Sequence, residues 1–438
     1  MITRIFIDAS SQNCFWRPLP PGFTLSTHYY IMGKIAFQGK KGAKPVKNAG
    51  IIAEYDPFHA GHAWQIAEAR RQGAETVTVC MSGDVTQRGG AALLPPPVRA
   101  AAALGCGADL VLCLPNPYAC LSAEGFAAAG VAILSALPAL DTLVFGAETP
   151  DTAALVRTAG ALRSETFSAA LARSLAGGAP FAAARAAAAG EVCPGAGAVL
   201  ASPNNNLGVE YCKALAVQNS HLSPRALPRR GAAHGEAEPG AGGFASASSL
   251  RTLWRKGGAA ALESYVPEAA LALYKEAEAA GADLDEKAWS VALLSRLRGM
   301  DAAAIARTRG TAEGLEHLLE NAVRAAADLP GLYDAMKSKR YAHARLRRYV
   351  LAAALGYTGE LPTLPPYVHV LAANERGLAL LQGAKKPAGA SLARLARENE
   401  ACRAAAAAHA AAADLAALCR RAPGPMGGCY TEKPLLIR

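Results

Sequence analysis

Two histidines three residues apart, His59 and His62, are the side chains in this chain best suited to chemistry on a phosphate. Gly61 lies between them and Pro57 precedes them, which is typical of a tight turn before a helix. Residues three apart share one face of a helix, so both imidazoles can reach one ligand. A helix start also offers unpaired backbone N–H groups and the positive end of the helix dipole. The pattern predicts a nucleotide site at which an α-phosphate is attacked.

Two other interpretations of this pair stay open. His59 and His62 are also compatible with ordinary surface histidines at a helix cap. Two histidines at this spacing can bind zinc, but no Cys, Asp or Glu follows them at the spacing of a metal ligand. The turn between an apolar segment and an amphipathic one favours the nucleotide site, and we predict no dedicated metal site.

An alternation of strands and helices must position the pair. Four apolar runs are separated by segments of helical length and period, which predicts an α/β fold with a parallel sheet. The runs are 49–54, 76–81, 109–114 and 141–146. In such sheets the ligand lies beyond the carboxyl ends of the strands. These ends fall at Glu54, Ser82, Pro115 and Gly146. A fifth strand is predicted at 225–229, and 202–208 is predicted to be a loop and cap before a helix.

The composition favours a polyanionic partner and a reducing compartment. The 438 residues carry a formal net charge of +10, which alone does not distinguish RNA from DNA or an anionic membrane. Ten cysteines include no Cys-x-x-Cys pair, and no strongly apolar stretch reaches 18 residues. Alanine tracts such as 101–103 and 404–408 are interpreted as exposed helix surface. We expect a cytoplasmic protein that does not enter a membrane.

Hydroxyls and cations recur at two further junctions. Ser246, Ser248, Ser249 and Arg251 lie where a Gly-rich loop meets a helix, and they could hold a leaving pyrophosphate. A plain N-cap serine cluster is the alternative. Arg229 and Arg230 at a strand end form a second cationic pair, unless they are solvated edge charges.

A basic segment in the second half of the chain suggests RNA. Six cations and no acid occur within twelve residues, at Lys337, Lys339, Arg340, Arg345, Arg347 and Arg348. Helical spacing would place Lys337, Tyr341, Arg345 and Arg348 on one face, where cations and an aromatic ring suit an RNA backbone. A solvated helix face is the alternative.

Nine ordered blocks resemble the bacterial tRNA(Met) cytidine acetate ligases, a branch of the HxGH nucleotidyltransferase superfamily. The first block contains the two histidines, and the series keeps the family's order over about residues 49 to 381. The blocks are 50–62, 81–89, 109–115, 145–148, 202–208, 228–234, 245–251, 337–341 and 366–371. Asp56 and Ala60 differ from the family, where asparagines are common, and Asp56 would add a negative charge near the phosphates.

The resemblance implies an enzyme that activates acetate with ATP and passes the acetyl group to N4 of the wobble cytidine of elongator tRNA(Met). Combined with the residue patterns above, this activity predicts His59 and His62 as catalytic residues, ATP with accompanying Mg²⁺, a pyrophosphate loop at Ser246–Arg251, and tRNA contacts at Lys337, Lys339, Arg340, Arg345 and Arg348. The implied ATP contacts are Ile52, Ala53, Glu54, Tyr55, Asp56, Pro57, Phe58, His59, Ala60, Gly61, His62, Ala63, Trp64, Gln65, Gly146, Asn204 and Arg229.

Three parts of the chain are expected from these patterns. Residues 1–46 would form a poorly ordered N-terminal extension, 47–256 a Rossmann-like nucleotidyltransferase domain that binds ATP, and 257–438 a mostly α-helical domain that binds tRNA. A small-molecule adenylyltransferase and a non-catalytic RNA-binding protein remain alternatives. The basic helical half argues against the first, and the intact His59, Gly61, His62 and Arg229 argue against the second.

Overall fold

A computed structural model describes residues 46–229, 244–312, 314–338 and 341–437. The expected N-terminal extension therefore lies outside the described residues, apart from Val46, which is buried. Arg230, Lys339 and Arg340 also lie outside them.

The centre of the fold is an eight-stranded sheet in the order β5-β4-β1-β2-β3-β6-β7, with β8 pairing with β6. All pairings are parallel except that of β3 with β6. The strands are β1 (Asn48–Ala53), β2 (Thr76–Ser82), β3 (Leu110–Leu114), β4 (Thr142–Ala147), β5 (Ser223–Pro228), β6 (Val368–Asn374), β7 (Ala388–Gly389) and β8 (Leu435–Ile437). The five strands predicted from the sequence are confirmed, together with the α/β class.

Helices cover both faces of the sheet and build a further layer beyond it. Those before residue 258 are α1 (Ala60–Arg71), α2 (Pro96–Gly105), α3 (Ala123–Leu134), α4 (Thr152–Ala161), α5 (Glu165–Ala176), α6 (Phe181–Val192), α7 (Ala196–Ala201), α8 (Pro203–Val217) and α9 (Ala247–Gly257). Those after it are α10 (Glu268–Ala279), α11 (Glu286–Arg298), α12 (Ala302–Ala306), α13 (Leu315–Ala325), α14 (Leu329–Ala335), α15 (His343–Ala354), α16 (Glu375–Ala379), α17 (Leu392–Leu395), α18 (Glu400–Leu418) and α19 (Gly428–Thr431). Across the described ranges, no helix has the length and apolarity needed to span a bilayer.

Neighbouring residues of β1 show how the core is divided. Ile51 packs into one hydrophobic cluster and Ile52 into another, because successive side chains of a strand point to opposite faces. A third cluster joins the helices after residue 285 to Val85 in the loop that follows β2. The alanine tracts belong to these clusters, with Ala102 and Ala405 fully buried, so their interpretation as exposed surface was wrong. Small side chains there let the helices pack closely.

Two sequence expectations need correction. The chain after residue 256 is mostly helical, but β6, β7 and β8 from this half return to the central sheet. A short apolar run such as 368–374 cannot be distinguished from a helical segment by period, and its partner strand β3 is far away in sequence. The segment 204–208 is helical and not a loop, because α8 already begins at Pro203, a residue well suited to the first turn.

Candidate active site

The two histidines lie at the start of α1 and hydrogen-bond with its first turn. His59 precedes the helix with an extended backbone, and its Nδ1 accepts the N–H of Gly61 at 3.0 Å. The Nδ1 of His62 accepts the N–H of His59 at 3.2 Å, and the two rings stack with centroids 3.7 Å apart. Because each Nδ1 is an acceptor, each neutral ring carries its proton on Nε2. The pair therefore offers two N–H donors to a ligand.

The backbone of this helix start is already paired. The N–H of Ala60 donates to the carbonyl of Tyr265 at 2.9 Å. The next three N–H groups donate to His59, one to its Nδ1 and two to its carbonyl oxygen. The prediction of unpaired N–H groups here was wrong, because the histidine cap and Tyr265 supply the acceptors. A phosphate at this helix start would first meet side-chain donors.

Burial and a neighbouring cation keep both imidazoles neutral. Burial, and after it the positive charge of Arg229, lowers the pKa of His59 to about 3. The pKa of His62 is lowered well below its usual value by burial, by His59 and by Arg229. Arg229 follows β5, and its N–H donates to the carbonyl of Ala147 at the end of β4 at 2.9 Å. The structure thus brings together three predicted site residues from distant parts of the chain.

Aromatic rings form an apolar wall behind the imidazoles. Tyr55 and Phe58 are fully buried with ring centroids 4.8 Å apart, and the ring of Tyr55 lies 4.6 Å from that of His62. Ile52 points into the core against Gly130. Contacts of these buried residues with a nucleotide would therefore come from their backbone. The partly exposed residues of the segment are Ala53, Glu54, His59, Ala60, Gly61, His62, Ala63, Trp64 and Gln65.

Asp56 joins the histidine loop to α9. Its Oδ1 accepts the N–H of Leu93 at 2.7 Å, and its Oδ2 lies 3.2 Å from Nη1 of Arg251. The same Nη1 donates to the carbonyl of Asp56 at 2.7 Å. The Asp56 side chain is 5% exposed and that of Arg251 30%. The negative charge that distinguishes Asp56 from an asparagine is therefore balanced by Arg251, which lies beside the histidine loop.

The serine cluster caps α9. The Oγ of Ser246 accepts the N–H of Ser249 at 3.2 Å, which is an N-cap hydrogen bond. The hydroxyls of Ser248 and Ser249 lie 3.0 and 2.8 Å from the same oxygen. The cap holds the hydroxyls and Arg251 on the first turn of one helix, and the role of this turn in holding pyrophosphate stays a prediction.

Gly146 and Asn204 lie around the ends of β4 and β5. A Cβ on Gly146 would be 3.9 Å from the Cβ of Arg229, so this glycine borders the arginine. The side chain of Asn204 donates to Glu148 at 2.7 Å. Burial alone would raise the pKa of Glu148, but hydrogen bonds from Asn204 and Asn205 lower it. These contacts join Asn204 to the end of β4, and its contact with ATP stays a prediction.

A buried arginine that was not predicted from the sequence connects the ends of β1 and β2 by hydrogen bonds. Arg99 on α2 is fully buried and donates to the carbonyls of Leu94 at 2.9 Å, Glu54 at 2.7 Å and Gly83. The side chain of Glu54 accepts the N–H of Gln87 at 2.6 Å, and burial raises the pKa of this carboxyl. A single arginine in an otherwise apolar helical segment was the available signal.

The basic segment does not form one helix face. Lys337 and Tyr341 lie between α14 and α15, whereas Arg345 and Arg348 lie on α15. Lys337 pairs with Asp334 at 2.7 Å, and the guanidinium of Arg345 lies 4.9 Å from the ring centroid of Tyr341. The single-face prediction was wrong, because helical period was extended across a break that no Gly or Pro marks.

A second group of titratable side chains lies in the core. Cys113 on β3 is paired in register with His369 on β6, and His409 on α18 packs against both, with possible ligand atoms within 4.8 Å of one another. The Nε2 of His409 lies 3.8 Å from Cys113 Sγ, and its Nδ1 accepts the N–H of Asn116 at 3.3 Å. A neutral His409 with this Nδ1 acceptor directs its proton at the sulfur. We therefore assign a hydrogen bond from His409 to the thiol of Cys113, while Nδ1 of His369 is buried without a partner among the described residues.

The chain is similar to known nucleotidyl transferases over most of its length. Residues 46–423 match the family model of the HIGH nucleotidyl transferases. A tRNA(Met) cytidine acetate ligase from Syntrophotalea carbinolica is 34% identical over 352 residues, which cover 78% of this chain and 83% of that protein. One from Caldanaerobacter subterraneus is 33% identical over 346 residues, which cover 77% and 86%.

Solved structures agree with the fold. The crystal structure of Thermotoga maritima TmcAL bound with α-thio-ATP has a TM-score of 0.80 at 24% identity, and the match covers 90% of this chain and 100% of that one. The apo form gives a TM-score of 0.82. At this identity the likeness confirms the α/β architecture.

Proposed function

Since the chain belongs to the tRNA(Met) cytidine acetate ligase family of HIGH nucleotidyl transferases, we propose that it acetylates tRNA with ATP and acetate. The acetyl group would go to N4 of the wobble cytidine of elongator tRNA(Met), giving N4-acetylcytidine. The observation that carries the proposal is the convergence of His59, His62 and Arg229 at the carboxyl edge of the sheet, where α/β proteins bind nucleotides.

The first step would form acetyladenylate. An oxygen of acetate attacks the α-phosphorus, the bond between that phosphorus and the bridging oxygen to the β-phosphate breaks, and pyrophosphate leaves. The Nε2–H groups of His59 and His62 and the guanidinium of Arg229 would stabilise the charge that develops on the α-phosphate. Neutral imidazoles suit this role because the hydrogen-bond donors are preset and need no proton uptake. The first turn of α9, with Ser246, Ser248, Ser249 and Arg251, would receive the pyrophosphate.

The second step would transfer the acetyl group. The exocyclic N4 of cytidine attacks the carbonyl carbon of the acetyl group. The bond between this carbon and the phosphate oxygen breaks, and AMP leaves. N4 then loses one proton to water or to AMP. The cations of the segment 337–348 support an RNA acceptor, because RNA affinity depends on neutralising phosphates. Free cysteines support the cytoplasmic location that we propose, since all nine cysteines in the described ranges are unpaired.

Mg²⁺ would arrive with ATP. The two acidic side chains of the histidine loop are already engaged, Asp56 by Leu93 and Arg251 and Glu54 by Gln87. They offer no preformed octahedral set of oxygen ligands, so the phosphates of ATP would supply the oxygens that hold the ion.

The decisive experiment is acetylation of a defined tRNA. Purified protein is incubated with ATP, ¹³C-labelled acetate and elongator tRNA(Met), and the RNA is digested and analysed by mass spectrometry. We expect labelled N4-acetylcytidine that depends on ATP and on acetate. A matched transcript with uridine at the wobble position is the control and should take no label.

Two results would contradict the proposal. Acetate-dependent AMP formation with no label in tRNA would favour the small-molecule adenylyltransferase. Tight tRNA binding with no ATP turnover would favour a non-catalytic RNA-binding protein.

A further inference from the structure

A pocket of about 370 Å³ opens where α15 meets the segments that follow β3 and α12. This volume is within the range of roughly 300 to 1,000 Å³ that is usual for ligand sites. Its lining residues include three arginines and no acid. The three are Arg309, which follows α12, and Arg345 and Arg348 of α15.

Within the described ranges, the three arginines of this pocket have no anionic partner. None of Arg309, Arg345 and Arg348 forms an ion pair with an acidic side chain of the residues that the structure describes. The Nη1 of Arg309 is buried and has no hydrogen-bond partner within the same residues. Burial and the like charge of Arg345 lower the pKa of Arg348. Like charges and a buried unpaired donor are unfavourable until an anion enters.

Hydrogen bonds of the loop after β2 connect the pocket to the candidate active site. Nη1 of Arg348 lies 3.5 Å from the carbonyl of Gln87, whose N–H donates to Glu54 at the end of β1. The side-chain amide of Gln87 donates to the carbonyl of Leu121, which lines the pocket. Gly89, at φ +78°, lets the loop approach α15 closely, since a Cβ there would lie 2.8 Å from the backbone of Arg348. One loop therefore separates the three arginines from the strand end that carries the histidines.

We infer that this pocket binds a backbone phosphate of the tRNA close to the nucleotide that receives the acetyl group. The inference deepens the proposed function and rests on its RNA acceptor. Arg309 then becomes an RNA-binding residue outside the basic segment 337–348. The apolar part of the lining, with Leu121 and Ala352, would contact the adjoining ribose.

A second pocket favours a polymer over a free anion. Lys337 and Tyr341 line a neighbouring pocket of about 340 Å³. Arg345 connects the two, because its guanidinium lies over the ring of Tyr341 while it also lines the first pocket. Lys337 in the neighbouring pocket is paired with Asp334, so the positive charge comes from the arginines of the first pocket, and the ring of Tyr341 lies beside them. Cations next to an aromatic ring are typical of surfaces that follow a nucleic-acid strand.

The first test removes the buried charge. Arg309→Gln should weaken tRNA binding about tenfold at moderate salt, since a charge-assisted contact is lost. It should also reduce the slope of log affinity against log salt by about one. The matched control is Arg307→Gln, an exposed arginine two residues earlier that does not line the pocket. Filter binding at four salt concentrations measures both quantities, and circular dichroism with thermal unfolding checks the fold.

The second test adds a negative charge without disturbing the fold. Ser122 lines the pocket and caps α3 by accepting the N–H of Gly125 at 3.3 Å. Ser122→Asp keeps an N-cap acceptor and places a carboxylate beside the arginines. It should weaken tRNA binding by at least as much as Arg309→Gln. Ser164→Asp makes the same change at the N-cap of α5, away from the pocket, and should bind tRNA as the wild type does.

The outcomes separate this inference from the proposed function. If Arg309→Gln and Ser122→Asp bind tRNA with wild-type affinity and salt slope, or if both controls lose affinity equally, the pocket assignment is overturned while acetylation stands. If the wild type forms no N4-acetylcytidine but its tRNA binding depends on Arg309 and not on Arg307, the pocket stands and the proposed chemistry fails. If tRNA does not bind at all, while inorganic phosphate at millimolar concentration binds at Arg309, both the RNA acceptor and this inference are overturned.

Discussion

Two histidine pairs in this molecule share a lowered pKa but differ in their surroundings. Burial brings the pKa of His59 to about 3 and those of His369 and His409 to about 4. The first pair stacks at 3.7 Å at a helix start, is partly exposed and lies beside Arg229. The second pair, with rings 6.5 Å apart, lies between two strands and α18.

The difference teaches that a shifted pKa does not by itself identify a functional site. Three of the four ring nitrogens of the core pair face protein partners, since Nε2 of His369 lies 3.3 Å from the carbonyl of Ala390 and His409 faces Cys113 and Asn116. The fourth, Nδ1 of His369, is buried without a hydrogen-bond partner among the described residues. The first pair also caps its own helix, but its residues are partly exposed and lie beside a cation, Arg229. Location at the strand ends and a neighbouring cation are what separate the two.

The largest expected effect is a loss of activity when a histidine of the first pair is replaced. His62→Ala removes one donor to the α-phosphate and should lower the rate of acetate-dependent pyrophosphate exchange by roughly 10²- to 10³-fold. The fold should persist, because Tyr55 and Phe58 are fully buried and still pack against each other when the ring of His62 is removed. Circular dichroism checks the fold, and His221→Ala, at an exposed position, is the control. Near-normal exchange in His62→Ala would remove the first pair from the mechanism.

The next effect concerns stability, and it belongs to the core pair. The folded-state pKa values of His369 and His409 are about 4, below the unfolded value near 6.5. The unfolded chain therefore takes up protons first, so stability is full above pH 6.5 and falls as the pH is lowered toward 4. At pH 5 the loss should be roughly 2 kcal/mol per histidine. Urea unfolding at pH 7 and pH 5 measures it.

A variant isolates this contribution from other titrating groups. His409→Gln removes one of the two groups and should abolish about half of the pH-dependent loss, whatever its stability at pH 7. His221→Gln should keep the whole loss, since this side chain is exposed. An identical pH dependence in His409→Gln and the wild type would mean that the pKa of His409 does not differ between the folded and the unfolded chain.

The elements that position the first pair could be predicted from local sequence. The apolar runs of β1 to β5, the turn at Gly61 and the cap at Ser246 each depend on neighbours within a few residues. The histidine pair and Arg229 followed from their places at strand and helix ends. Their proximity required the tertiary fold and came from family resemblance and the sheet rule.

What surrounds the second pair could not be predicted in this way. Cys113, His369 and His409 come together only because β6 returns to pair with β3 and α18 packs on both. The same holds for Arg99, whose acceptors lie on two strand ends, and for the pairing of Asp56 with Arg251. These contacts join residues far apart in sequence, so neither the hydrophobic period nor the spacing of residues in the sequence predicts them. The break after α14 was missed for a different reason, since no Gly or Pro marks it.

The smallest expected effect tests how far the first pair depends on nearby charge. Asp56→Asn removes the carboxylate beside Arg251 but keeps an oxygen for the N–H of Leu93. Exchange activity should change by less than about threefold, and stability by about 1 kcal/mol or less, because Arg251 is 30% exposed and keeps its bond to the Asp56 carbonyl. Asp56→Ala also leaves the Leu93 N–H unpaired and should lose a further 1 to 3 kcal/mol, roughly. The KM for ATP and urea unfolding of both variants measure these effects. A loss of activity in Asp56→Asn as large as that in His62→Ala would mean that the charge of Asp56, and not only the donors of the histidines, is required at the phosphates.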